Sequence, residues 1–234
     1  MIDVHPPHEA AHSWKEFFVH MATICLGLLI AIGLEQSVEW MHHRHEMKEL
    51  RESLQRDAKE QIGDCKDVET STAALGDSLS RRIEQVSLAL QTHQPLRVVA
   101  SAKTSHDFDV PEEPAWNAAK ASGLLALMSQ QDVAAYSESD SCLQEVTDSY
   151  EKQFTARHKL RDLETKMTLM ANDPDFSKAT PEDLKTYLAM LIDTRSAVGD
   201  FRYWCRQLRG ADLAILAGEL DVKKIETSER QFNH

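Results

Sequence analysis

The sequence predicts an all-α protein. An N-terminal transmembrane helix continues into a long amphipathic helix, which packs with an antiparallel helical hairpin as an elongated three- to four-helix bundle. Three observations carry this prediction. Phe17 to Leu34, FFVHMATICLGLLIAIGL, contains no formally charged residue. Between Glu35 and Pro95 there is no proline, and apolar residues recur at steps of three and four. Two later segments keep the same helical rhythm and are joined by a short polar connection, the pattern of a helix pair turned back on itself.

Bulk composition narrows the class. The 234 residues carry a formal net charge of -12 and a pI near 5.3, so no nucleic acid is expected as a partner, and no broad basic face meets anionic lipid. A mean hydropathy of -0.43 is that of a water-soluble chain, which concentrates membrane contact in one stretch. Cys25, Cys65, Cys142 and Cys205 form no C-x-x-C pair and have no histidine at zinc-finger spacing, so they make no metal framework. The three outside the apolar stretch read as buried, reduced thiols, with one bridge plus one free thiol as the alternative.

Residues 1–13 read as an N-terminal tail and residues 14–41 as the transmembrane helix. Eighteen uncharged residues lie near the lower limit of the about 17–25 needed to cross roughly 30 Å of hydrocarbon. Val38, Trp40 and Met41 extend the apolar side beyond Glu35, and Trp14 and Trp40 stand where an interfacial aromatic belt would place them. Ser13-Trp14-Lys15-Glu16 fits a capping box. A cleaved signal peptide needs a basic start, whereas Asp3, Glu9 and Glu16 here oppose Lys15 alone. Lys15 on one side of the span against Arg44, Lys48 and Arg51 on the other places the soluble domain in the cytoplasm. The competing layout keeps the short tail inside and exports the domain.

The helical bundle is expected over 42–220. Its first member, a long helix over 42–92, has a seam of Met47, Leu50, Leu54, Ala58, Ile62, Cys65, Val68, Thr72, Leu75, Leu79, Ile83, Val86 and Leu90. Gly63 and Gly76 each cost about 1 kcal/mol relative to alanine and are candidate bends. From Glu46 to Leu90 such a helix would reach roughly 65 Å from the membrane. A loop follows over 93–113, with a short strand expected at 97–100 and an acidic run of Asp107, Asp109, Glu112 and Glu113. Pro114 then suits the first turn of a short helix over 114–128, whose Ala115, Ala118, Ala119, Ala121, Ser122 and Gly123 predict close packing.

A helix over 131–171 carries Tyr136, Leu143, Val146, Tyr150, Leu160, Leu163, Met167 and Met170 on its seam and stops at Asn172-Asp173-Pro174. Thr180-Pro181-Glu182-Asp183 is a capped start for the last helix, 181–220. Its heptad-like rhythm, reminiscent of a coiled coil, runs Leu184, Tyr187, Leu191, Thr194, Val198, Phe201, Cys205, Leu208 and Ile215. Residues 221–234 read as a polar tail that frays.

Chemistry-bearing residues are few. Seven of the eleven histidines lie in the first 45 residues: His5, His8, His12, His20, His42, His43 and His45. A spanning helix separates them into two groups that cannot form one site. Glu39, His42, His43 and Glu46 are the metal candidates, since helical spacing sets imidazole beside carboxylate on one face. Headgroup-level anchoring is the simpler use, because two or three ligands on one helix make a weak site.

His45-Glu46-Met47-Lys48-Glu49 lacks the second histidine of a zinc protease, and the E-x-x-H pairs Glu9-His12 and Glu39-His42 fall on opposite sides of the apolar stretch, so they make no di-iron centre. Phosphate-binding loops and a serine-hydrolase elbow have no matching pattern. His158 can share a face with Glu151, and Arg161 can pair with nearby acids, but solvated residues on helices are commoner than catalytic ones. No catalytic residue and no cofactor are expected. Phe201, Tyr203 and Trp204, with Trp116, form a candidate packing or ligand cluster.

Two stretches, GLLIAIGLEQSVEWMHHRHE over 27–46 and PAWNAAKASGLLALMSQQDVAAY over 114–136, together resemble an uncharacterised group of bacterial single-pass membrane-anchored helical proteins. That group carries a Trp-x-x-Ala-x-x-Ser/Thr-Gly helix followed by a tyrosine-bearing helix with an acidic start. The matching residues are Trp116, Ala119, Ser122, Gly123 and Tyr136. The resemblance covers about a fifth of the chain and implies a bacterial inner-membrane setting with no known activity. The expected function is that of an interaction or scaffold protein whose partners are the lipid bilayer and a protein or second copy. A sensory or ligand-binding bundle is the alternative.

Overall fold

The computed structural model describes residues 14–96, 110–171, 176 and 179–231. The tail at 1–13, the strand expected at 97–100, the acidic-run residues Asp107 and Asp109, and the stop at 172–174 lie outside the described residues. The fold is an all-α, multi-helix bundle: α1 (Trp14–Thr92), α2 (Pro114–Ser122), a 3-10 turn (Leu124–Leu127), α3 (Gln130–Ala171), α4 (Pro181–Leu216) and α5 (Val222–Gln231). By contacts the chain divides into two units, Met1–Glu49 and Leu50–His234.

The described part of the first unit is the leading section of α1. Its best eighteen-residue window has a mean hydropathy of 2.3 with none of it buried, making α1 long and apolar enough, by length and composition, to cross a membrane. Its hydroxyls are satisfied within the helix: Thr23 Oγ1 donates to the Val19 carbonyl at 2.8 Å and Ser37 Oγ to Gly33 at 2.7 Å. Such bonding needs no water. Trp14, Phe17 and Phe18 gather their rings at one end, with Trp14 6.1 Å from each phenylalanine.

The second unit contains the buried core. The α1 seam positions from Leu50 to Val86 pack inward except Ile83, which is half-buried, and helix continues through both Gly63 and Gly76. One core cluster joins Leu75, Leu79 and Val86 of α1 to Leu160 and Met167 of α3 and to Tyr187, Leu191 and Val198 of α4. A second joins Cys65 and Val68 to Cys142 and Val146 and to Phe201, Cys205 and Leu208. A third closes α3, α4 and α5 around Ala135, Ala211, Ile215 and Ile225. Thr72 and Thr194 occupy seam positions because each hydroxyl donates back to its own helix, at Val68 and Met190. Along α3 and α4 the matched positions are Glu164 with Tyr187, Ala156 with Thr194, and Ser139 with Asp212. Arg82 adds α1 to the first of these pairs, 2.5 Å from Glu164.

Local chemistry accounts for the helix ends. Thr180 Oγ1 accepts from the Asp183 amide at 3.2 Å while Asp183 Oδ2 accepts from the Thr180 amide at 2.9 Å, a reciprocal capping box behind Pro181. At the other end of α4, Gly218 sits at φ 85°, and the Glu219 and Gly218 amides reach Ala214 and Ile215 at 2.9 Å. That is the Schellman closure which a left-handed residue permits.

Four sequence expectations are corrected. The helix predicted over 114–128 is interrupted at Gly123, φ 79°, and its second half is a 3-10 turn. Its small residues do not form a packing face: Ala119 is buried, but Ala118, Ala121, Ser122 and Gly123 face solvent. The last long helix stops at Leu216, short of residue 220, because Gly218 turns the chain. The residues read as a fraying tail contain α5, held by Ile225, which is fully buried.

Candidate functional site

The chemically distinctive region lies where α2 meets α1 and α3, and polar groups of α1 build it. The Ala115 amide donates to Asp57 Oδ2 at 2.8 Å, so a carboxylate of α1 caps the start of α2 in place of a local side chain. Gln61 Nε2 donates to the Glu112 carbonyl at 3.0 Å. These contacts fix Glu113, which precedes Pro114, in a buried position facing α3.

There Glu113 meets Asp140. Trp116 Nε1 donates to Asp140 Oδ2 at 3.1 Å, Lys120 Nζ donates to the same oxygen at 2.9 Å, and Gln144 Nε2 reaches Oδ1 at 3.3 Å. Burial, followed by the hydrogen bond to Asp140 and its charge, pushes Glu113 up to about 9. Burial also acts upward on Asp140, but hydrogen bonds from Glu113, Lys120, Trp116 and Gln144 outweigh it and hold the group down at about 2. Near neutral pH the pair therefore keeps one proton on Glu113, which donates to a charged Asp140. The pair and Lys120 border a cleft of about 520 Å³ that also meets Pro111, Asn117 and Thr147.

Asp212 of α4 is a second buried acid. It is 1% exposed, and Ser139 Oγ donates to its Oδ1 at 2.7 Å. Burial raises it to about 8 despite that bond, and Oδ2 has no protein partner. Cys65 of α1 and Cys205 of α4 pack together without solvent. The Cys65 thiol is pushed up first by its hydrogen bond with Cys205 and then by burial, so it is held as the unreactive thiol. This region can store protons and hold a lysine beside a carboxylate pair.

The residues singled out from sequence are dispersed. His42 Nε2 lies 3.2 Å from Glu46 Oε1, His45 pairs likewise with Glu49, and His42 and His43 rings are 6.4 Å apart. Glu39 joins none of these pairs, and no group of three His, Cys, Asp or Glu able to hold a metal occurs among the described residues. Arg44 lies over the Trp40 ring at 5.4 Å. His158 packs edge-on against Phe154 at 4.2 Å.

The four aromatics do not form one cluster. Phe201 is core, 5.6 Å from Tyr150. Trp116 is buried and stacks on Tyr136 at 5.8 Å. Tyr203 and Trp204 stay together, rings edge-to-face at 5.2 Å, beside a separate cleft between α3, α4 and α5, and Trp204 also packs against the core cluster that holds Phe201. Sequence reading missed Asp140 and Asp212 and placed Glu113 in the acidic run of a loop. The available signal was Asp212 standing between Leu208 and Ile215 on an apolar face. Comparison with protein-family models, curated proteins and solved structures finds no match to the chain.

Proposed function

We propose that this chain is a membrane-anchored helical interaction or scaffold protein without catalytic activity. In this reading α1 spans the bilayer once over 14–41, and the partners are the bilayer and a protein or second copy of the chain. The observation that carries it is the contrast within α1: the apolar residues from Phe17 to Leu34 are exposed, whereas the apolar seam from Leu50 onward is buried. Large exposed apolar surface on a helix calls for lipid or protein around it. We further read α3 and α4 as an antiparallel hairpin, supported by partner positions that rise along one helix as they fall along the other. The lysine and arginine bias around the span and the resemblance over 27–46 and 114–136 support a bacterial inner membrane, with the domain on the cytoplasmic side.

Crosslinking of the full chain in native membranes tests the scaffold role. It is expected to trap one stable partner or a homo-oligomer. A protein recovered only as an uncrosslinked monomer contradicts the reading. A second reading, a ligand-binding or sensory bundle, is favoured by the cleft beside Tyr203 and Trp204, where the buried Gln207 Nε2 lacks a protein partner.

A further inference from the structure

Polar ties, more than apolar packing, fasten α2 to the bundle. Trp116 and Ala119 are its buried residues, and the three core clusters described above draw no member from it. Its other ties are the Asp57 carboxylate on the Ala115 amide, the Gln61 amide on the Glu112 carbonyl just before it, and Asp140, which receives both the Trp116 indole and the Lys120 ammonium. Detaching α2 leaves those clusters of α1, α3, α4 and α5 whole. That is the circumstance in which one element opens while the rest stays folded.

Among these ties stands a carboxyl-to-carboxyl contact. Glu113 is 7% exposed and hydrogen-bonded to Asp140. Two ionised carboxylates cannot make such a bond, so docking requires one proton. The surroundings supply no substitute for it. Lys120 of α2 is the one cation bordering the cleft among the described residues, and it stands 3.7 Å from Glu113 but 2.9 Å from Asp140. Asp212 of α4 pushes Glu113 further upward, and Glu112 and Asp148 line the same cleft. From α1 come the neutral Gln61 and Asp57, itself raised by burial against the lowering hydrogen bond from the Ala115 amide.

We propose that α2 is a proton-gated latch: it docks on α1 and α3 with the proton that the Glu113–Asp140 contact requires, and loss of that proton frees it while the bundle beneath stays folded. Release lifts the Trp116 indole from its stack on Tyr136 and bares the surface the two rings share, so the proton governs which face the bundle presents. Docked, Glu113 holds its proton up to about 9. Undocked, it is an ordinary glutamate that loses it near ~4. Between those limits docking weakens about tenfold for each pH unit, because opening α2 releases one proton. The gate therefore acts across neutral pH, well below the point at which the docked group itself ionises.

Hydrogen exchange of the full chain in detergent micelles, followed from pH ~6 to pH ~8, tests the latch. After correction for the intrinsic exchange rate, protection over 117–122 should fall about tenfold per pH unit, with α4 far more protected throughout. Glu113→Gln keeps a hydrogen-bonding group against Asp140 with no proton to lose, so its protection over 117–122 should not change with pH. Asp57→Asn keeps an acceptor for the Ala115 amide and should retain the wild-type slope. Constant protection over 117–122 in the wild type overturns the proposal, as does a slope that survives Glu113→Gln or vanishes in Asp57→Asn. Equal protection in α2 and α4, lost together, also overturns it, because the proton then governs the whole bundle. Should Glu113→Gln fail to fold, the wild-type slope measured against α4 still decides.

Discussion

Glu113, Asp140 and Asp212 make this bundle sensitive to protons, and the sign follows from their environments. Glu113 is raised to about 9 and Asp212 to about 8, both chiefly by burial, whereas carboxyls in unfolded chains titrate near ~4. Between about pH 4 and pH 9 the folded state therefore binds more protons than the unfolded state, and stability falls as pH rises. Asp140, held at about 2 by its donors against the upward pull of burial, acts oppositely: its contribution is lost as pH falls from about 4 towards 2. Thermal melts of the full chain in micelles should give the highest melting temperature near pH ~5 and a steady decline towards pH ~9. Glu113→Gln combined with Asp212→Asn keeps neutral hydrogen-bonding groups and should flatten most of that decline. An unchanged profile in the double variant would show that other groups set it.

At the scale of elements, α2 is held from outside itself. Nine residues are too few to be helical alone, and its first amide, that of Ala115, is answered by Asp57 of α1 rather than by a local cap. Asp57→Ala should cost about 1–2 kcal/mol and speed hydrogen exchange over 114–122, leaving α4 protected. Uniform loss of protection throughout would contradict a local role. By contrast α4 carries its own start in Thr180, Pro181 and Asp183.

That difference explains what the sequence made legible. The seams of α1 and α4 and the α4 start depend on neighbours within a turn or two, so spacing reveals them. The break at Gly123 and the end at Gly218 depend on positive φ at single glycines, and a glycine in sequence does not declare its φ. α5 was hidden because Ile225 is its one fully buried residue among the described side chains and stands within a polar stretch. The site was least legible: Asp212 meets its partner Ser139 across 73 positions, and in sequence Glu113 looks like any other acid of its run, its contact with Asp140 arising only through the fold.

For the whole molecule, the account turns on α1 belonging to two environments. Its section from Phe17 to Leu34 exposes the apolar residues that the bundle section buries, and within this account lipid covers them. Alkaline carbonate extraction of membranes from cells expressing the full chain measures this most directly. The account predicts that the protein stays in the membrane pellet. It also predicts that Leu28→Arg with Ile30→Arg, at about 2.5–3.5 kcal/mol of insertion cost per arginine at the helix centre, moves the protein to the soluble fraction. Release of the unmodified chain into the soluble fraction, with its helical circular dichroism intact, would contradict the anchor and the function built upon it.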